Sequence, residues 1–204
     1  MAGLFDLDLP EGFEYRDDFL TLDQESHLAD EIARVEFSTF EMHGVAARRR
    51  VAFFGRSYDQ GDNSVKPDIP DFLLPLRLAL ANWAGLDPEA FAMALINQYA
   101  PGAPIGWHRD APQYGIVGGV SLLSACRMKL RPYVRPGAAP AGGRRVATHE
   151  ITLERRSAYL MTGASRSAYE HHIPAARELR YSITFRTLRV HGADAGPWER
   201  SQTT

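Results

Sequence analysis

The segment Arg180-Tyr-Ser-Ile-Thr-Phe-Arg186 constrains the fold most strongly, because its side chains alternate between polar and apolar. Successive side chains of a strand point to opposite faces, so the pattern predicts a strand with one side in the core. The other side carries two guanidinium groups and two hydroxyls, those of Arg180, Ser182, Thr184 and Arg186. That polar face either meets solvent or lines a polar cavity.

Two arginines that line a cavity indicate an anionic ligand, because buried charge without compensation is costly. The planar guanidinium group of arginine pairs with a carboxylate through two parallel hydrogen bonds. A dicarboxylate such as 2-oxoglutarate would satisfy both Arg180 and Arg186. The simpler alternative is the solvated outer face of an amphipathic strand.

Short segments separated by Gly and Pro follow one another from Ala92 onwards, which is typical of a sandwich or jelly roll. A loop of small residues at 136–143 is expected to join two strands as a hairpin. The predicted strands are Ala92–Tyr99, Val117–Cys126, Arg127–Val134, Val146–Leu153, Ala158–Met161 and Tyr181–Arg189.

An entry strand and two helices are predicted ahead of this region. Thr21-Leu22-Asp23 supplies capping oxygens for the first helix, whose apolar residues recur at helical spacing to about Val35. The second helix opens at Pro70-Asp71 and closes at Gly85, as a glycine after a helix C-terminus does. Residues 1–190 are expected to form one domain, with 1–91 as its helical portion, 92–190 as its β core and 191–204 as a frayed tail.

The composition excludes several classes of protein. Of the 204 residues, 45% are hydrophobic and 24% are charged, which is typical of globular proteins. No apolar run approaches the roughly 18 residues of a membrane span, and the N-terminus lacks the features of a signal peptide. One cysteine, Cys126, excludes an intrachain disulfide and suits a reducing compartment, so a cytoplasmic location is expected.

Charge is distributed unevenly along the chain, although the net charge is only −2. Residues 1–100 contain 8 Lys and Arg against 18 Asp and Glu, whereas residues 101–204 contain 15 against 7. A basic C-terminal half can meet a polyanion. Alternatively, its arginines are solvated or ion-paired across a sheet.

The segment His108-Arg-Asp110 contains two potential metal ligands. If it is extended, His108 and Asp110 share one face and Arg109 lies on the other. A second histidine from a distant strand would complete the 2-His-1-carboxylate set, which leaves coordination positions open on Fe(II). The candidates are His149, His171, His172 and His191. His171 is preferred because it lies near a strand end shortly before the arginine strand, and His172 remains the alternative.

Together these segments resemble the AlkB family of Fe(II)/2-oxoglutarate-dependent dioxygenases. The similar stretches keep the family order: Asn97-Gln-Tyr99-Ala-Pro-Gly102, Ile105-Gly-Trp-His108-Arg-Asp110, Gly163-Ala-Ser-Arg166 through His171-His-Ile-Pro174, and Arg180 to Arg186. The resemblance implies an α+β fold with a mainly β core, a cupin-like jelly roll of the double-stranded β-helix type buttressed by N-terminal helices. It also implies an oxidoreductase that uses Fe(II), 2-oxoglutarate and O₂.

Roles for individual residues follow from the same resemblance. The iron ligands are matched by His108, Asp110 and His171. Residues that hydrogen-bond 2-oxoglutarate are matched by Asn97 and Tyr99. Arg180 matches the partner of the distal carboxylate, and Arg186 matches the arginine near the metal-bound end. Lesser co-substrate contacts are matched by Ser182 and Thr184.

A nucleotide-recognition lid is implied within residues 1–91. Arg48, Arg49 and Arg50 are its candidates for phosphate contacts, and Tyr58 is its candidate for stacking on a flipped base. Trp107 is a further substrate candidate. Residues 50–54 are also consistent with an ordinary strand that has a charged start.

The expected function is oxidative dealkylation of N-alkylated bases, with alkylated DNA as the first candidate substrate and RNA as the second. One departure weakens the choice of base: some repair members carry an acidic residue two positions after the metal-binding Asp, where this chain has Pro112. One alternative is a hydroxylase or demethylase of a protein, lipid or small molecule. Another is a non-catalytic cupin-like metal-binding protein. No membrane association and no obligate protein partner are expected.

Overall fold

The computed structural model describes residues 8–42, 45–56, 67–135 and 147–189, which form two facing antiparallel sheets. The strands are β1 (Phe13–Arg16), β2 (Ser38–Met42), β3 (Val45–Gly55), β4 (Phe91–Tyr99), β5 (Ile105–His108), β6 (Tyr114–Leu122), β7 (Cys126–Pro132), β8 (His149–Leu153), β9 (Ala158–Met161), β10 (Tyr169–Ile173) and β11 (Arg180–Leu188).

The larger sheet has the order β1-β9-β6-β11-β4-β3-β2, and the smaller has the order β5-β10-β7-β8. Apart from the consecutive pairs β2–β3, β3–β4 and β7–β8, neighbouring strands come from distant parts of the chain, as in a jelly roll. The expected α+β fold with a mainly β jelly-roll core is confirmed. Strands β1 to β3 extend the same sheet as β4, β6, β9 and β11, so the first 91 residues contribute directly to the large sheet.

Two helices pack on the outer face of the larger sheet. Helix α1 (Leu22–Ile32) begins with a capping box in which Thr21 and Gln24 bond reciprocally. A 3₁₀ turn at Asp71–Leu73 leads into α2 (Leu74–Ala84), which ends at Gly85 with φ of 66°. Leu28 and Ile32 of α1 and Leu80 of α2 join a core cluster with the sheet. Within the described ranges no helix combines the length and apolar character of a membrane span.

The predicted elements agree with the observed ones except at several boundaries. The strand expected at Val117–Cys126 ends at Leu122, because Leu123 adopts a positive φ of 72° and the chain turns before Cys126 opens β7. The first helix ends at Ile32 rather than near Val35. A short helix, α3 (Gly163–Ser167), was not expected. The loop at 136–143 and the tail at 191–204 lie outside the described residues.

One buried carboxylate ties α1 to the β core. Glu25 is 2% exposed, and it accepts hydrogen bonds from the Leu123 backbone nitrogen at 2.8 Å and from Arg155 Nε at 3.1 Å. Leu123 is the residue with positive φ after β6, so this contact also fixes the turn into β7. The sequence pattern of α1 marks Glu25 as an ordinary helix residue.

We expect Glu25→Ala to lower the free energy of unfolding by about 2 kcal/mol, because it leaves a partly buried N–H without a partner. Urea denaturation measures this loss. The matched control is Glu31→Ala on the same helix, where the surface pair with Arg34 contributes at most about 0.5 kcal/mol. Equal losses for the two variants would contradict the role of Glu25.

Candidate active site

A cavity of about 340 Å³ lies between the two sheets. This volume is within the range of small-molecule sites. Side chains from β3, β4, β6 and β11 line it on the larger sheet, and side chains from β5, β7 and β10 line it on the smaller. Most of the polar residues singled out from the sequence lie on its walls.

Two histidines meet on one wall because β5 and β10 pair directly. His108 and His171 are cross-strand partners, and their ring centroids are 4.2 Å apart. Nδ1 of His108 lies 2.9 Å from the Gly106 carbonyl oxygen. A proton on Nδ1 satisfies that oxygen and leaves Nε2 free to bind a metal.

The neighbouring histidine faces the other way. His172 stacks on Trp107 with a centroid distance of 5.2 Å, on the outer face of the smaller sheet, and does not line the cavity. The strand conformation of β10 therefore separates the two candidate ligands. Of this adjacent pair, the one that reaches the cavity is His171.

Asp110 lies two residues beyond the end of β5. The expectation that it continues the extended strand of His108 is therefore wrong. Asp110 still lines the cavity beside the histidines. Arg186 holds it by donating from Nε at 3.0 Å and from Nη2 at 2.7 Å to the same oxygen, Oδ1. Both side chains are less than 10% exposed. This is a buried ion pair.

A second arginine fixes the segment that carries Asp110. Arg166 of α3 donates from Nη2 to the carbonyl oxygens of Ala111 and Tyr114, both at 2.7 Å. Burial lowers the pKa of Arg166 to about 10, and the nearby charge of Asp110 opposes this decrease. The family resemblance covered Arg166 as part of a motif without giving it a role.

The environment keeps the histidines neutral and Asp110 ionised. Burial lowers the pKa of His171 to about 3, with a further contribution from His108, and burial also lowers the pKa of His108. For Asp110, burial alone would raise the pKa, but the charges of Arg186 and Arg166 and the hydrogen bonds from Arg186 outweigh it and lower the pKa well below its usual range. Unprotonated imidazoles and an ionised carboxylate are the forms that bind a divalent metal.

The arginine strand is arranged as its alternation predicted. Tyr181, Ile183 and Phe185 belong to the core, whereas Ser182, Thr184 and Arg186 line the cavity. Thr184 accepts a hydrogen bond from Arg186 Nη1 at 2.8 Å. On the neighbouring strand β4, Asn97 and Tyr99 also line the cavity.

Arg180 lies farther in, next to Tyr99. Its side chain is 1% exposed, and its Cζ is 5.1 Å from the centre of the Tyr99 ring. Nε donates to Ser121 Oγ at 3.0 Å, but Nη1 and Nη2 have no hydrogen-bond partner of normal geometry in the part of the chain that the structure describes. A buried guanidinium group with two unused nitrogens favours an anionic ligand.

The three lid arginines separate by strand alternation. Arg49 is buried, lines the cavity and donates from Nε to Asn97 Oδ1 at 3.1 Å. Arg48 and Arg50 are exposed. Arg50 donates to the Phe37 carbonyl oxygen at 3.0 Å. Only Arg49 of this group is therefore placed beside the polar residues of the cavity.

The two aromatic substrate candidates have different outcomes. Trp107 lies on the outer face of β5, between His172 and the guanidinium group of Arg131, and does not line the cavity. Tyr58 lies outside the described residues.

Several cavity residues were not anticipated from the sequence. Phe53 of β3 follows Arg49 at an even spacing, which is the signal that marks it as a cavity residue. The ring of Tyr159 on β9 lies over Gly119 of β6. A Cβ atom at position 119 would lie 2.3 Å from the tyrosine Cζ, so the ring has room only because residue 119 is glycine. The other apolar and aromatic side chains of the wall include Met93, Leu95 and Tyr114.

The residue types around the cavity fit a metal and a dicarboxylate. Two imidazoles and one carboxylate form the donor set of an open Fe(II) site, and Arg180 has unused donors for a carboxylate. Within the described ranges no three His, Cys, Asp or Glu side chains stand in a ready metal-binding arrangement. Both hydrogen bonds from Arg186 end on the same Asp110 oxygen, Oδ1, so this ion pair does not use Oδ2.

Comparisons with known proteins agree with this donor set. A family model described as the 2OG-Fe(II) oxygenase superfamily matches residues 17–186. A search of curated protein sequences finds no significant match.

Solved structures of similar fold include OsALKBH1, with a TM-score of 0.63, 16% identity, and coverage of 88% of this chain and 99% of that one. A Pseudomonas putida prolyl-4-hydroxylase matches with a TM-score of 0.54 and 16% identity, and the match covers 88% of this chain and 94% of that one. An oxidoreductase of the 2OG-Fe(II) oxygenase family from Burkholderia pseudomallei matches with a TM-score of 0.59 and 16% identity, and the match covers 89% of this chain and 87% of that one. At this level of identity the structural matches show a shared fold.

We expect Asp110→Ala to lower the free energy of unfolding of the metal-free protein by about 3 kcal/mol, because it leaves Arg186 buried without its counter-charge. Adding Arg186→Met should recover part of that loss. Urea denaturation of the two single variants and the double variant measures the coupling. Strictly additive losses would show that the two side chains do not stabilise each other.

Proposed function

The chain belongs to the 2OG-Fe(II) oxygenase superfamily, and we propose that it oxidatively dealkylates N-alkylated bases in nucleic acid, DNA more than RNA. Enzymes of this superfamily are dioxygenases that use Fe(II), 2-oxoglutarate and O₂. The observation that carries the proposal is the cavity itself, which combines the donor set and the polar row of β11 with an aromatic and apolar wall. Family membership also favours an enzyme over a non-catalytic metal-binding protein.

His108, Asp110 and His171 are proposed to hold the iron. When bound, Fe(II) with 2-oxoglutarate and O₂ supplies the oxidising power that hydroxylates a C–H bond while the co-substrate loses CO₂. The chain contributes neutral imidazoles, an ionised carboxylate and a position between two sheets that limits the access of water.

The co-substrate is proposed to lie along β11 and β4. Arg180 would receive its distal carboxylate, since its terminal nitrogens make no hydrogen bond of normal geometry to the described residues and its charge has no carboxylate partner among them. Arg186 would compensate the negative charge near the metal, where it already pairs with Asp110. Asn97 and Tyr99 are proposed to hydrogen-bond the co-substrate, and lesser contacts are proposed for Ser182 and Thr184.

A planar base is a suitable substrate for the part of the larger sheet that lies around Arg186. Phe53, Tyr114 and Met93 form one apolar and aromatic cluster there, and all three line the cavity that the histidines also line. Hydroxylation of an N-methyl group on such a base yields a hydroxymethyl group, which leaves as formaldehyde. The resemblance of the site motifs to AlkB-type enzymes and the shared fold with OsALKBH1 support this choice. The single cysteine supports a cytoplasmic setting.

The second candidate keeps the chemistry and changes the substrate to a protein, lipid or small molecule. A prolyl-4-hydroxylase shares the fold, and Pro112 replaces an acidic residue of some repair enzymes. Replacing Arg48 and Arg50 together with neutral residues discriminates between these substrates. Loss of activity with 2-oxoglutarate binding unchanged would favour nucleic acid, and retained activity would favour the other substrates. Arg49 has to be left intact in that test, because it donates a hydrogen bond to Asn97, which is proposed to contact the co-substrate.

The proposal is tested by formaldehyde release from single- and double-stranded oligonucleotides that carry 1-methyladenine or 3-methylcytosine. Fe(II), ascorbate and 2-oxoglutarate are supplied. We expect release that depends on 2-oxoglutarate. If succinate accumulates without formaldehyde, the oxygenase chemistry stands and nucleic-acid dealkylation is rejected.

The adjacent histidines provide a matched pair of variants. We expect His171→Ala to abolish Fe(II) binding and 2-oxoglutarate turnover, whereas His172→Ala retains both within about threefold, because His172 faces away from the cavity. Iron content and succinate formation are the measurements. Loss of iron in His172→Ala with retention in His171→Ala would reverse the assignment.

A further inference from the structure

The innermost end of the predicted co-substrate site is built around Arg180. Tyr99 is its direct cross-strand partner in the pairing of β4 with β11, and Ser121 of β6 binds its Nε. All three residues belong to the larger sheet. Nη1 and Nη2 make no hydrogen bond of normal geometry to the described residues, so the guanidinium group can bind an anion that reaches this end of the sheet.

The facing sheet contributes a thiol to this space. Cys126 is the first residue of β7, and the buried Met128 and Leu130 follow it at the even spacing that places side chains on one face. Cys126 packs against the core cluster that contains Tyr99, and Ser124 binds the carbonyl oxygen of Leu179, which precedes Arg180. The Arg180 side chain acts on the Cys126 sulfur by its charge and by hydrogen bonding, although burial has the larger effect and raises the pKa of the thiol. A neutral thiol is a weak hydrogen-bond partner and does not compensate the arginine charge.

Cys126 is well separated from the metal ligands. Leu130 pairs with His171, and Cys126 precedes Leu130 by four residues, or about 13 Å along the strand. A change at Cys126 should therefore act on the distal end of a bound co-substrate and leave metal binding intact.

We propose that Cys126 determines how much room a dicarboxylate has beside Arg180, and so sets the affinity and the chain length of the co-substrate. This inference rests on the proposed role of Arg180 in the oxygenase. A small side chain at 126 admits the carboxylate of 2-oxoglutarate to the free guanidinium nitrogens. A larger one fills the space that the carboxylate needs.

Thiol labelling tests the location directly, because Cys126 is the only cysteine in the 204 residues. Iodoacetamide alkylates the sulfur, and the mass of the intact protein reports this site alone. With Mn(II) in place of iron, we expect saturating 2-oxoglutarate to slow labelling at least tenfold and the same concentration of acetate to leave it unchanged. Equal labelling rates with and without bound 2-oxoglutarate would overturn the proposal.

Substitutions test the effect on affinity. We expect Cys126→Met to raise the Kd for 2-oxoglutarate at least tenfold with the Kd for Mn(II) unchanged, and Cys126→Ser to retain both. Cys126→Ala should improve binding of 2-oxoadipate, which is one methylene longer, relative to 2-oxoglutarate. The matched control is Arg127→Met, since the Arg127 side chain is 57% exposed on the other face of β7.

Calorimetric titration of Cys126→Met and Arg127→Met with 2-oxoglutarate and with Mn(II) decides between the outcomes. Equal Kd values for 2-oxoglutarate in Cys126→Met and Arg127→Met would reject the role of Cys126. Raised Kd values for both 2-oxoglutarate and Mn(II) in Cys126→Met would show general disruption and reject it too. These measurements need no nucleic acid, so failure of the dealkylation assay leaves them unaffected.

Discussion

Buried positive charge around the central cavity is the constraint on which the arrangement of the site depends. Arg49, Arg166, Arg180 and Arg186 are each less than 10% exposed, and the carboxylate among them is Asp110. Burying charge without compensation is costly, so such a cluster is stable only with hydrogen bonds and anions to balance it. Carbonyl oxygens serve Arg166, and Asp110 serves Arg186. Arg180 keeps two unused donors, which a dicarboxylate would satisfy.

The jelly roll supplies the positions that this charge distribution requires. Pairing of β5 with β10 brings His108 and His171 together from residues that are 63 positions apart in sequence. Pairing of β11 with β4 places the arginine strand beside Asn97 and Tyr99. The two histidines and the arginine strand therefore lie on opposite sheets, and their side chains meet in the space between them. The candidate active site therefore lies between the two sheets.

Local alternation in the sequence was sufficient to predict part of the site. It separated the core face of residues 180–186 from the polar face, and it marked His108 as a potential ligand. It could not assign Arg49 to the cavity and Arg48 and Arg50 to the surface, because that choice depends on the pairing of β3 with a strand more than 40 residues away. Alternation does apply to Trp107, because it precedes His108 in β5 and therefore lies on the opposite face, where it stacks on His172.

The most direct test of a single site for iron and co-substrate is an anaerobic titration of the protein with Fe(II) and 2-oxoglutarate, followed by visible absorption. Chelation of Fe(II) by a 2-oxo acid gives a charge-transfer band that neither component gives alone. We predict a band that saturates at one Fe(II) per chain and requires 2-oxoglutarate. Iron that binds with no such band, or a band that persists in Asp110→Ala, would contradict the assignment of the cavity as the catalytic centre.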